Sequence, residues 1–197
     1  MQNLTTTPIV LASSSSYRRN LLNRLLGNFV TVPPNVDESN DGTELPEHFT
    51  IRLARQKAEV VSIIHYDSLI IGADQIAVLD DQIIGKPGNH QNAIEQLLAA
   101  SGKSLQFLTA VCVLEPAGRI RHEHIDCTTV IFHQFDLQLA EAYLKHDEPY
   151  DCAGSFKIEG AGFVLFESVR THDPTALIGL PMIWLAETLR RLGYLLS

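Results

Sequence analysis

The chain has 197 residues, 45% of them hydrophobic and 19% charged. That usage is ordinary for a globular protein. It excludes extensive disorder and provides for a core that needs no disulfide or metal staple. Fifteen Lys and Arg against 23 Asp and Glu leave a net charge of −8. This disfavours a partner such as polymeric nucleic acid, but a locally basic pocket could still hold a small phosphorylated ligand. Cys112, Cys127 and Cys152 are an odd set without CxxC spacing, which argues against a zinc site and suits a reducing, cytoplasmic compartment. Residues 1–8 lack the basic and apolar runs of a secretory signal. No stretch approaches the ~18 apolar residues of a membrane span.

In chain order, Ile9–Ala12 reads as a short buried strand. Serines at 13–16 follow, then Leu21, Leu22, Leu25 and Leu26 at helical spacing, so a strand passes through a polar turn into a serine-capped helix. Pro33 and Pro34 break the chain, and residues 35–45 form an acidic loop with Asp37, Glu38, Asp41 and Glu44. Pro46 opens a helix bearing Phe49, Leu53, Lys57, Val60, Val61 and Ile64. Residues 69–71 read as a buried strand ending at Gly72-Ala-Asp-Gln75. Residues 76–79 stay extended to a turn at Asp80-Asp81. Ile83-Ile84 leads into Gly85-Lys-Pro-Gly88, and a helix covers 90–100. Residues 104–114 and 120–135 alternate as a long hairpin, 137–146 is helical, 163–166 a strand and 181–192 the last helix. Crossover units mixed with a long hairpin predict an α/β fold with a mixed β-sheet and flanking helices, here one domain over 1–197.

Five segments could carry chemistry. At Ser13 to Arg19 a strand feeds a helix N-terminus, which favours an anion, and Arg18 and Arg19 suit phosphate oxygens. A capped, solvated helix would look the same. Asp37-Glu38 is a carboxylate pair or simply a solvated acidic loop. Asp74 stands where open α/β sheets place ligands, with Gly72 permitting close backbone approach, although a strand-end turn would also use these residues. Such carboxylates could hold Mg²⁺, which takes oxygen ligands and keeps several waters. Gly85-Lys-Pro87 fits a fixed phosphate contact or a plain β-turn. The small residues of 152–160, with Lys157 and Glu159, suggest a tight loop, with or without a surface ion pair. His122, His124 and Asp126 share a strand face that is either metal-binding or merely polar. Trp184 suits core or interface, and Cys152 has no base nearby in sequence that would make it a nucleophile.

In register, these segments resemble the Maf family of nucleotide pyrophosphatases over nearly the whole chain. The matching stretches are Leu11-Ala-Ser-Ser-Ser-Ser-Tyr-Arg-Arg19, Val36-Asp-Glu38, Arg52-Leu-Ala-Arg-Gln-Lys-Ala58, Ile71-Gly-Ala-Asp-Gln75, Gly85-Lys-Pro87, Ala153-Gly-Ser-Phe-Lys157 and Ile178-Gly-Leu-Pro181. The resemblance implies hydrolysis of a nucleoside triphosphate to the monophosphate and diphosphate, with Mg²⁺ or Mn²⁺. It also implies a Maf/ITPase-like fold of two lobes around a deep cleft, commonly a homodimer. Asp74 would then be the general base and Glu38 would support metal or water, the two carboxylates forming the metal site. Ser13, Arg18, Lys57 and Lys86 would hold the phosphate chain. Tyr17, Gln75 and Glu159 depart from the general pattern and resemble the subfamily that acts on 7-methyl-GTP. An aromatic face attracts the cationic methylated base, and a carboxylate accepts from its N1–H and N2–H₂ edge. Two alternatives are a dTTP/UTP pyrophosphatase of the sister subfamily and a non-catalytic nucleotide-binding regulator of cell division.

Overall fold

The computed structural model describes residues 6–40, 42–118 and 120–194, so Asp41 of the acidic loop and most of the N-terminal stretch lie outside the described residues. The elements are β1 (Ile9–Ala12), α1 (Ser16–Asn23), β2 (Val30–Thr31), α2 (Pro46–Ser62), β3 (Leu69–Leu79), β4 (Gln82–Ile84), α3 (His90–Ala100), β5 (Ser104–Leu114), β6 (Arg121–Phe132), α4 (Leu137–Asp147), β7 (Phe166–Arg170) and α5 (Met182–Arg191). The sheet order is β2-β1-β3-β5-β6-β7, with β4 folded back onto β3. β1 runs parallel to β2 and β3, and the other pairings are antiparallel. This is the expected mixed sheet with flanking helices.

Local chemistry sets most boundaries. Ser15 caps α1 by accepting the Arg18 N–H, Asn89 caps α3 and Asp136 caps α4 in the same way. Asp80 and Asp81 both adopt positive φ, as a two-residue hairpin turn between β3 and β4 requires. Two lobes share the sheet. In one, α1 and α5 cover one face of β1, β3 and β5, and Ala54, Ala58 and Val61 of α2 cover the other. In the other, α3 and α4 enclose the opposite ends of β3 and β5 around Phe107, Phe132 and Phe156.

Three local expectations change. β3 is a single strand of 11 residues that does not end at 72–75, so Asp74 lies mid-strand and not at a strand end. Residues 163–166 are mostly a 3₁₀ turn, and β7 begins at Phe166, where the chain pairs with β6. β2 is short and partly exposed, and no apolar run announces it.

Gly72 has a packing role. A Cβ there would collide with the Ala54 carbonyl oxygen and stand 2.7 Å from the Ala58 nitrogen. The close approach is therefore between α2 and β3, and the small Ala54 and Ala58 complete it. We expect Gly72→Ala to lower stability by about 1–3 kcal/mol, as overpacking does in a filled core. A fall in the urea midpoint at unchanged m-value would show it; an unchanged midpoint would mean that the contact relaxes freely.

Candidate active site

The site grows from a fork in the sheet. β1 and β3 run parallel as far as Ala12 and Gly72, which are register partners. β1 then stops and the chain turns through Ser13 into α1, while β3 continues. Ser13 and Asp74 thus emerge just beyond the last parallel pair, in the crevice that a departing strand leaves. A cleft of about 600 Å³ opens here, the size of a small-molecule site.

At its floor lies an ammonium between two carboxylates. Lys57 occupies the α2 stripe that otherwise carries Phe49, Leu53 and Val61, and it is only 6% exposed. Its Nζ lies 2.6 Å from Oδ1 of Asp74 and 2.6 Å from Oε1 of Glu38. Asp74 is as buried as Lys57, whereas Glu38 is largely exposed. The loop carrying Glu38 is stapled to α2 by Arg52, whose guanidinium donates to both oxygens of Glu44. Desolvation pushes Glu38 up, but the hydrogen bond and charge of Lys57, aided by Lys86 and Arg18, hold it below its ordinary value. Asp37, its neighbour, faces a separate groove beside Arg52 and takes no part.

Arg18 and Lys86 add two more cations to the cleft wall. Arg18 is half-buried and donates from Nε to the Gly179 carbonyl at 3.0 Å. Desolvation lowers its pKa, against the pull of Asp74 and Glu38. Lys86 is exposed and makes no ion pair among the described residues. Ser13 is buried, and its Oγ accepts the Ser15 N–H at 3.1 Å. With the start of α1 also lining the cleft, this end offers cations and helix N–H groups to an anion.

Tyr17 and Glu159 meet at the other end. Burial raises the Tyr17 phenol, and the carboxylates of Asp151 and Glu159 raise it further. Glu159 is exposed on the rim, where partial desolvation still raises its carboxyl. Burial together with Asp151 pushes the Cys152 thiol up to about 12, so it is protonated at neutral pH and is no nucleophile.

Lys57 and Asp74 thus sit in the same cleft as Arg18, Lys86, Tyr17 and Glu159, and the chain as a whole is similar to known proteins. The sequence profile of Maf-like protein matches residues 8–192. The chain belongs to the Maf family. It is 47% identical over 188 residues to a Pseudomonas syringae protein named 7-methyl-GTP pyrophosphatase, covering 94% of this chain and 96% of that one. A Cupriavidus metallidurans protein of the same name is 44% identical over 195 residues, covering 98% of each. Among solved structures, a HAM1 protein from Coxiella burnetii superposes with a TM-score of 0.53 at 14% identity, covering 94% of this chain and 100% of that one, which shows a shared fold.

Several residues of this Maf protein act where sequence reading did not place them. Gln75 lines the cleft, but its amide nitrogen donates to Thr109 and to the carbonyls of Ala176 and Leu177. It ties the sheet to the turn that also presents Gly179 to Arg18. Asp173 accepts N–H bonds from Thr175 and Ile183 and so anchors that turn to the start of α5. Neither link has a signal in sequence, because the partners are far apart along the chain. Lys157 pairs with the exposed Asp151 at 3.9 Å, and not with Glu159. Its ammonium donates to the Asp147 and Glu148 carbonyls at the end of α4. His122 bonds to Glu115 and His124 stacks on Trp184, and no group of three or more metal-ligating side chains occurs among the described residues.

Lys57→Met should leave Asp74 buried without a counter-charge and cost about 3 kcal/mol, the lower end for breaking a buried pair. Urea unfolding would measure it, and a change below a few tenths would mean that Asp74 is solvated through the cleft. The Glu38 contribution has a definite sign in pH. Its folded pKa lies below the ordinary 4.5. The stabilisation is therefore complete above that value and lost as pH falls through the lower, folded one. Wild type and Glu38→Gln should differ in melting temperature at neutral pH and converge in acid. A constant gap would contradict the pairing.

Proposed function

We infer that this chain hydrolyses 7-methyl-GTP to 7-methyl-GMP and diphosphate. The observation that carries this reading is the Lys57 ammonium fixed between Asp74 and Glu38 in a cleft that also holds Arg18 and Lys86. Relatives alike over nearly their whole length bear that activity in their names.

The reaction forms a bond from a water oxygen to the α-phosphorus and breaks the bond from that phosphorus to the bridging oxygen. The electron pair leaves on diphosphate, and the proton of the attacking water is taken up by a base. Asp74 suits that role, because the buried Lys57 fixes its carboxylate at the floor of the cleft. Arg18, Lys86 and the N–H groups at the start of α1 face the growing charge on the leaving group. In a partly dry site, fixed donors of this kind lower the barrier. Ser13, beside the fork, suits a phosphate oxygen.

A divalent ion fits the donors present. Lys57 takes Oδ1 of Asp74 and Oε1 of Glu38, which leaves Oδ2 and Oε2 without a protein donor among the described residues. Two such hard oxygens, completed by substrate phosphates and waters, are the set that Mg²⁺ or Mn²⁺ accepts. Bound there, the ion would supply charge neutralisation on the phosphate oxygens.

At the other end, the Tyr17 ring suits the cationic methylated base and Glu159 suits its N1–H and N2–H₂ donors. A pyrimidine offers neither the charge nor that donor pair, which sets the dTTP/UTP reading second. The Asp74–Lys57–Glu38 arrangement counts against a non-catalytic binder, which has no use for it. The cysteines, all three free, fit a cytoplasmic location. No helix among the described residues is long and apolar enough to cross a membrane.

Purified protein with Mg²⁺ or Mn²⁺ should release diphosphate from 7-methyl-GTP well ahead of GTP, dTTP or UTP. The reverse order would assign it to the sister subfamily. Asp74→Asn should fold and lose about 10²–10⁴-fold in kcat, the usual yield of a general base; full turnover would remove Asp74 from that role. Tyr17→Ala should weaken the methylated base selectively, by about 0.5–2 kcal/mol in kcat/KM. An equal loss for plain GTP would rule out a cation–π contact.

A further inference from the structure

The segment carrying Glu159 is gripped from behind by the last turn of α4. The Lys157 N–H donates to the Tyr143 hydroxyl at 2.9 Å, and the Ala161 N–H donates to Oδ2 of Asp147 at 2.7 Å. The Lys157 ammonium reaches back to the Asp147 and Glu148 carbonyls at 3.1 and 3.4 Å. Glu148 ends the helix in the left-handed conformation, at φ 44°, which turns the chain away. Tyr143 is 3% exposed, and the Asp147 side chain is 6% exposed. Gly160 lies so close that a Cβ there would overlap the Asp147 carboxylate.

The backbone is thus fixed two residues before Glu159 and two residues after it. Glu159 itself makes no ion pair among the described residues. Its carboxylate is therefore aimed by the backbone on either side, not by a side-chain partner. Tyr143 and Asp147 do not line the cleft, so neither can touch a bound nucleotide.

We propose that Tyr143 and Asp147 are positioning residues for base selection, holding residues 157–161 so that the Glu159 carboxylate meets the donor edge of the base. This rests on the reading of Glu159 given above. A buried acceptor on a rigid helix can hold a contact group to within a fraction of an ångström. Misplacement by about 1 Å can cost about a hundredfold in rate.

The test compares kcat/KM for 7-methyl-GTP, GTP and UTP in wild type, Asp147→Ala, Asp147→Asn, Tyr143→Phe, Glu159→Gln and the Asp147→Ala/Glu159→Gln double variant. Asp147→Ala should cut the preference for 7-methyl-GTP over UTP about tenfold, through KM, with a smaller loss for GTP, which carries the same donor edge without the ring charge, and leave UTP turnover within about twofold. Asp147→Asn keeps an oxygen for the Ala161 N–H and should restore most of the preference. Tyr143→Phe keeps the buried ring and should act in the same direction; it carries the test should Asp147→Ala fail to fold. The double variant should lose no more preference than Glu159→Gln alone, because both changes remove one contact. An unchanged preference, an equal loss on all three nucleotides, or full additivity with Glu159→Gln would overturn the proposal. Should the wild type prefer another base, the functional reading fails separately. The clamp is then judged on that preference, which Asp147→Ala must flatten if the proposal stands.

Discussion

An ammonium group out of water needs partners, and Lys57 has two within 2.6 Å. Taking one such ion into a protein interior costs several kcal/mol unless opposing charge and hydrogen bonds offset it. Asp74 and Glu38 provide that offset, and the geometry needed to bring them together organises the surrounding chain. Gly72, Ala54 and Ala58 let α2 approach β3 closely enough for Lys57 to reach Asp74 from the same helical stripe. Arg52 and Glu44 fasten the loop that delivers Glu38. The three residues form one unit with Lys57 at its centre: removing the ammonium deprives both carboxylates of their partner, whereas removing either carboxylate leaves Lys57 the other. The cluster is therefore at once a structural joint and the floor of the cleft.

The two ends of the cleft are built by different means. The end that holds Ser13, Arg18 and Lys86 comes from a strand ending, a helix beginning and basic side chains on short segments. The end that holds Glu159 comes from residues 151–159, a stretch of turns with no strand or α-helix of its own, together with Tyr17 of α1. Residues 176–179 tie the sheet to α1, since one turn accepts from Gln75 and from Arg18. α1 therefore serves both ends, through the consecutive residues Tyr17 and Arg18.

What could be read from sequence was local. The strand at β1, the serine cap of α1, the hairpin of β5 and β6 and the α3 helix follow from apolar periodicity and capping residues, and they appear within three residues. Lys57 was legible as a cation in an apolar stripe, but its partners were not, because Asp74 and Glu38 reach it through tertiary contact. β3 was misread because Gly72-Ala-Asp-Gln75 has the composition of a turn. Its extended path is enforced from outside, by α2 over Gly72 and by Gln75 hydrogen-bonding to Thr109 and the 176–177 carbonyls. The run Phe163-Val-Leu-Phe166 reads as a strand on hydrophobicity alone. Pairing with β6 decides otherwise, since it begins only at Phe166. Tyr17 and Glu159 were found by departure from a family pattern, whereas Asp147 and Tyr143 carry no motif and are visible only through the backbone they hold.

β3 and β5 are each 11 residues long and stay paired over nine positions, from Ile70 to Val78, so both lobes stand on the same two strands. Swinging the lobes apart as independent bodies would shear that ladder, at the expense of many hydrogen bonds together. The mouth is consequently a standing slot, not a jaw.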